Sequence, residues 1–153
     1  MTTQSVGLAP KIRSARSNDL PAIERLLLES RLPLDGVRDA LADFVVAHAG
    51  DALIGVAGLE VCCGNALLRS VAVSAEWRSY GIGRALVTRI ISDADARGIR
   101  ALYLLTATAE RYFPIFGFTV TSRDAVPEDI RATAEFQGAC PASAIVMLRP
   151  LSA

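Results

Sequence analysis

Arg78-Ser79-Tyr80-Gly81-Ile82-Gly83-Arg84 separates an apolar run, Leu67 to Val73, from an amphipathic run, Ala85 to Arg97. A helix that starts beyond two glycines offers unpaired backbone N–H groups and the positive end of its dipole, and flanking guanidinium groups add charge-assisted donors. Such a start can hold a pyrophosphate. Arg84 by itself reads also as a solvated first-turn residue. Gly81 and Gly83 so close together are costly at a helix start unless the backbone needs positive φ or close approach.

Three further charged residues stand in informative surroundings. Glu60 falls in Gly58-Leu59-Glu60-Val61, where a carboxylate in a partly dry cleft accepts a proton directly or through a water, or else faces solvent from an edge strand. Arg69, in Leu68-Arg69-Ser70-Val71, either binds an anion or pairs with Glu60 as a structural bridge. Glu135, in Thr133-Ala134-Glu135-Phe136, lies in a long connection able to fold over a substrate. His48, the single histidine, reads as a surface or packing residue. Cys62, Cys63 and Cys140 have no CxxC spacing, so they read as free thiols and no metal site is expected.

The elements that must position these groups follow from periodicity and turn residues. Ile12 to Arg16 suits an edge strand, and Ser17, Asn18 and Asp19 open a helix with Pro21 near its start and Ile23, Leu26 and Leu27 inside. Arg31-Leu32-Pro33-Leu34 breaks it, and Asp35 starts a shorter helix through Val37 and Leu41. Phe44 to Ala49 and Ala52 to Glu60 form an antiparallel hairpin around Gly50-Asp51, and Cys63-Gly64-Asn65 turns the chain into Leu67 to Val73. A helix from about Gly83 to Arg97, ending at Gly98, leads to Ala101 to Leu105, which a right-handed crossover sets parallel to Leu67 to Val73. Phe118 to Thr121 and Ala144 to Leu148 read as the last strands, joined by a connection too long for a hairpin, with a helical turn near Glu128 to Thr133.

That order of elements, with the glycine loop and Phe116-Gly117-Phe118, resembles the acyl-CoA-dependent N-acetyltransferases of the GCN5-related (GNAT) superfamily over about residues 11 to 149. The resemblance implies an α/β (α+β) fold, a mixed central sheet of about 6–7 strands flanked by about 4 helices, and acetyl-CoA as co-substrate. It implies that the pantetheine arm pairs with the strand around Val71 and Val73, where a bulge frees an N–H for the oxyanion, while the strand after the long helix splays away. The amides of Ser79, Gly81, Gly83 and Arg84 then hold the pyrophosphate and Arg78 covers it. Thr106 stands where the family commonly carries an asparagine, and Phe113 where it carries the tyrosine that protonates the leaving thiolate. A phenyl ring cannot donate a proton. Tyr112 is the neighbouring alternative acid, and departure of the thiolate into water is the other. For the base, Glu60 is expected ahead of Glu135. Arg69, residues of the Glu29-Ser30-Arg31-Leu32 loop and the final connection are expected to form the acceptor wall.

Ala57 to Glu60, Leu67 to Val73, Tyr103 to Ala109 and Thr133 to Ala144 look like the N-acetyltransferases associated with bacterial arsenic resistance. Relatives of that group acetylate glutamate-like antibiotics such as arsinothricin and phosphinothricin. The reading is therefore an N-acetyltransferase acting on a small amine. Acetylation of a protein N-terminus or another small amine, and a CoA-binding sensor without turnover, are the alternatives.

The whole chain sets bounds consistent with this. Its 153 residues suit a single domain, 11–153, after a loose tail, 1–10, and such a chain buries about two thirds of its unfolded surface. Sixteen basic and sixteen acidic residues give no net field for nucleic acid. The apolar runs are too short for a membrane span, and residues 1–10 lack a secretory signal, so a cytoplasmic location is expected. The oligomeric state stays open, a homodimer included.

Overall fold

A computed structural model of the chain describes residues 9–151. The tail expected over 1–10 lies outside the described residues except for its last two. Seven strands form one sheet: β1 (Lys11–Ser14), β2 (Phe44–Ala49), β3 (Ala52–Cys62), β4 (Asn65–Val73), β5 (Ala101–Thr106), β6 (Thr119–Thr121) and β7 (Ile145–Pro150), in the spatial order β1-β2-β3-β4-β5-β7-β6. Every pairing is antiparallel except β4 with β5. The α-helices are α1 (Leu20–Glu29), α2 (Val37–Ala40), α3 (Ile82–Ala96) and α4 (Glu128–Arg131). The mixed sheet is the one expected. β7 lies between β5 and β6, so the segment from β5 to β6 passes one strand position and the long connection then returns the chain into it.

Alternation along the strands assigns the two faces. Val45, Ala57, Leu59, Leu68, Leu102 and Leu104 pack with Leu86, Val87 and Ile90 of α3 and with Phe118. On the opposite face, Phe44, Val46 and Val56 pack under Ile23, Leu26 and Leu27 of α1 and Val37 of α2. Farther along that same face, Leu67, Tyr103 and Val146 pack under Val126 and Ile130. The second face thus has two separate covers, and the gap between them lies over β4 and β5.

Two irregularities open that gap. β4 and β5 are paired only at Asn65, Ala66 and Leu67 against Ala101, Leu102 and Tyr103, after which the strands part. Within β4, the partners of Val56 and Gly58 are Ala72 and Arg69, so β4 carries one more residue than β3 across Ser70 and Val71. This is a β-bulge, and Ser70 takes φ +60° within it. A buried serine with positive φ is a strained backbone position that the packing around it must hold.

Candidate active site

The glycine loop follows from the end of β4. A 3-10 turn, Ala75–Trp77, delivers Arg78, whose Nε donates to the carbonyl of Val73 at 3.1 Å. Ser79 (φ +72°) and Gly81 (φ +79°) are left-handed, which turns the chain into α3. Gly81 at the helix start supplies no side-chain cap, so the first-turn N–H groups remain for a ligand. The two glycines serve different needs. A Cβ on Gly81 would meet nothing within 4 Å, so its requirement is the positive φ. A Cβ on Gly83 would lie 3.3 Å from the hydroxyl of Tyr112 and 3.6 Å from Val73 Cγ2, so its requirement is space. Val73, Arg78, Ser79, Gly81, Gly83 and Arg84 therefore gather at one end of the opening, with both arginines exposed.

Beside this loop, the parted strands enclose a cleft of about 670 Å³. Leu68 to Val71 and Leu104 to Ala109 line it from the sheet, Ser30 to Pro33 from the end of α1, and Glu135 and Ala139 to Pro141 from the connection before β7. Thr106 holds the turn that leaves β5: its Oγ1 accepts the N–H of Ala109 at 2.9 Å. Tyr112 and Phe113 complete the wall and point differently. Phe113 is buried and packs edge-on against Phe118, 5.9 Å between ring centres. Tyr112 sends its hydroxyl toward α3, and burial pushes its phenol above the ordinary range against a weaker lowering by Arg84.

At the back of the cleft, the side chain of Arg69 is fully enclosed and all three of its nitrogens are engaged. Its Nη1 donates to Glu60 at 2.9 Å, its Nη2 to the carbonyl of Asp35, and its Nε to Ser70 Oγ at 3.1 Å, with Glu135 Oε2 at 3.5 Å. Gly36, with φ +80°, makes room for it, since a Cβ there would lie 3.0 Å from Arg69 Nη1. Arg69 thereby ties the α1–α2 cover, the bulge and the connection together. Of the two readings left open for it, the bridge to Glu60 is formed, and a direct grip on a substrate anion has no exposed atom to work through. Glu60 reaches Arg69 from outside the cleft lining and is partly exposed.

Glu135 is 5% exposed. Burial raises its carboxyl above the ordinary carboxylate range, while Arg69 and a hydrogen bond with Cys140 pull the other way. The Cys140 thiol is itself pushed up to about 11, chiefly by burial and then by Glu135. The connection carrying both residues is fixed by buried Val126 and Ile130 and by Arg123, which donates to the carbonyl of Ala144 at 3.2 Å and lies 5.7 Å from the Phe136 ring centre.

Of the acceptor-wall residues expected, Ser30 and Arg69 line the cleft. Glu29 is exposed and does not. Arg31, expected with the Glu29-Ser30-Arg31-Leu32 loop, lines the cleft as well, whereas the parts played by Ser70 and by the carbonyl of Asp35 carry no signal in residue type, because they depend on the bulge and on the turn before α2. Among the described residues no cluster of His, Cys, Asp and Glu is arranged to hold a metal, and no helix is long and apolar enough to cross a membrane.

A bulged strand parting from its parallel neighbour, beside a glycine-started helix with its first turn uncapped, is an arrangement for a nucleotide-linked acyl carrier. The acetyltransferase (GNAT) domain profile matches residues 40–120, and this chain belongs to that family. It is 31% identical over 131 residues to an amino-acid acetyltransferase of Mycobacterium tuberculosis, covering 78% of this chain and 74% of that protein. It is 33% identical over 132 residues to an amino-acid acetyltransferase of Neisseria meningitidis, and spans 30% of that longer protein. Among solved structures, N-acetylglutamate synthase from Neisseria gonorrhoeae complexed with coenzyme A and N-acetyl-glutamate superposes with TM-score 0.81 at 26% identity, covering 95% of this chain and 36% of that one. Rv2747 from Mycobacterium tuberculosis, in complex with CoA, superposes with TM-score 0.79 at 25% identity, covering 92% and 99%.

Proposed function

We propose that this chain transfers the acetyl group of acetyl-CoA to the α-amine of a small amino acid bearing a second anionic group: glutamate, or a glutamate-like antibiotic such as phosphinothricin or arsinothricin. One observation carries the reading: the opening between β4 and β5 runs from an uncapped helix start to a cleft of small-molecule size with a buried carboxyl on its wall. The amino-acid acetyltransferases at 31% and 33% identity support the acceptor class. The narrower choice of a glutamate-like antibiotic rests on the segments similar to arsenic-resistance N-acetyltransferases.

In this mechanism the pyrophosphate rests on the amides of Ser79, Gly81, Gly83 and Arg84, with Arg78 beside it. The pantetheine arm follows β4 past Val73 and Val71, and the bulge at Ser70 and Val71 directs a backbone donor at the developing oxyanion. Glu135 takes the proton that an α-ammonium must lose before its nitrogen attacks the thioester, and burial raises the affinity of its carboxylate for that proton. Glu60 serves as the partner of Arg69, which reverses the order expected from strand position alone. The nitrogen forms its bond to the acetyl carbon, the C–S bond breaks, the thiolate leaves along the slot, and the second proton of the nitrogen passes to that thiolate or to water.

The test is thiol release from acetyl-CoA against glutamate, phosphinothricin, arsinothricin, polyamines and aminoglycosides. Release with the amino-acid acceptors is expected. Release with polyamines or aminoglycosides alone, or with none of the panel, overturns the reading.

A further inference from the structure

Three charged residues line the cleft: Arg31, Arg69 and Glu135. Arg69 is shut off from solvent and already engaged by Glu60, Ser70, Glu135 and the carbonyl of Asp35, so it has no accessible face for an incoming anion. Glu135 and Glu60 add negative charge at the back of the cleft. An acceptor with an anionic side chain needs an accessible cation to offset them.

Arg31 has the required properties. It follows the C-terminal end of α1, is exposed, and forms no side-chain ion pair or hydrogen bond among the described residues. Its backbone is fixed: its N–H donates to the carbonyl of Leu28 at 3.1 Å, and that of Leu32 to the carbonyl of Leu27 at 2.9 Å. These bonds hold Arg31 at φ +59°, an αL conformation that ends the helix. An exposed guanidinium on an anchored backbone is thus available to an incoming anion.

We propose that Arg31 is the specificity-determining residue for the acceptor, holding the carboxylate, phosphinate or arsinate of its side chain while the α-amine reaches inward to the bulge. This rests on the amino-acid reading above. The depth of the groups supports the division of labour. Glu135, which handles the ammonium, is buried, whereas Arg31, on the lining of the same cleft, is exposed and so suits the far end of a glutamate-like chain. A fork of guanidinium donors suits two carboxylate oxygens better than an ammonium does.

The test compares L-glutamate with its neutral isostere L-glutamine in the parent, Arg31→Gln and Arg31→Lys. Both replacements retain a Cβ at the same positive φ, so neither adds backbone strain. The parent should favour glutamate. Arg31→Gln should lower kcat/KM for glutamate about 10- to 100-fold, mostly through KM, and change glutamine less than about 3-fold. Arg31→Lys should recover part of the preference. Equal losses for both acceptors, no change for either, or a parent without preference for glutamate overturns the inference. A parent that acetylates no amino acid removes the proposed function and this inference with it, whereas an unaltered preference in an active Arg31→Gln enzyme removes the inference alone.

Discussion

The hydroxyl of Tyr112 stands 3.3 Å from the point where a side chain would begin at Gly83. Two residues distant in sequence therefore share one small space at the start of α3, beside Val73. The glycine leaves the helix start open, and the phenol borders the opening.

Gly83→Ala should weaken CoA binding, because the added methyl meets the Tyr112 hydroxyl at a separation tighter than ordinary contact. The loss should shrink when Tyr112→Phe removes that oxygen, giving a measurable coupling in a double-mutant cycle by calorimetry. Gly81→Ala has no such clash and should cost about 1 kcal/mol through its positive φ, insensitive to Tyr112. Additive effects of the Gly83 and Tyr112 changes would show that the two do not meet.

Tyr112→Phe should reduce kcat by less than about 10-fold, since the phenol reaches toward the helix start and Phe113 occupies the position of the expected acid. A general acid contributes on the order of 10²-fold or more. A loss of that size with CoA affinity retained assigns Tyr112 the acid role.

Glu135→Gln should lower kcat/KM about 10²-fold and remove the acidic limb of its pH profile, with CoA affinity unchanged. Glu60→Gln should act mainly through the placement of Arg69 and leave the limb in position. The opposite pattern returns the base to Glu60.

Stability should also depend on Glu135. Burial raises its carboxyl, so between the ordinary value near 4.3 and the raised one the folded chain keeps a proton that the unfolded chain has released. The contribution is full below the ordinary range and is lost as pH rises through the raised value. The Tm of the parent relative to Glu135→Gln should therefore fall as pH increases from about 4. A difference that moves in the parent's favour means that attraction to Arg69 outweighs burial.

Arg69→Leu should destabilise the fold by about 3 kcal/mol, roughly 10 °C in Tm, by leaving Glu135 buried without its cation. Adding Glu135→Gln should restore part of that loss, as thermal denaturation of the pair would show.

Much of this architecture was readable where the pattern is local. Turn residues and period-two alternation marked the β2–β3 hairpin, β4 and α3 within a few residues. Gly81 and Gly83 marked the helix start because glycine is costly there without a reason. The sites where reading stopped short depend on distant contacts. Glu135 and Glu60 look alike in sequence, and only the folding of the connection over the sheet buries one and leaves the other partly exposed. Periodicity likewise does not say which strand β7 joins, since a buried strand is apolar whichever neighbour it takes. The opposite aims of Tyr112 and Phe113 follow from the short turn through Pro114, where helical spacing is a poor guide. Arg31 carries no local signal for αL, a conformation that residues other than glycine seldom adopt.

The brief pairing of β4 with β5 makes the sheet mechanically two leaves stitched at one end of a shared spine. β1 through β4 form one leaf, and β5, β7 and β6 form the other. A pantetheine arm lying along Val71 and Val73 would take the place of the absent stitches, so the carrier would fasten the sheet as well as deliver its acetyl group. Without the carrier, the two leaves are held together by the short stitch at Leu67 and Tyr103 and by the long helix, whose Leu86, Val87 and Ile90 pack against both.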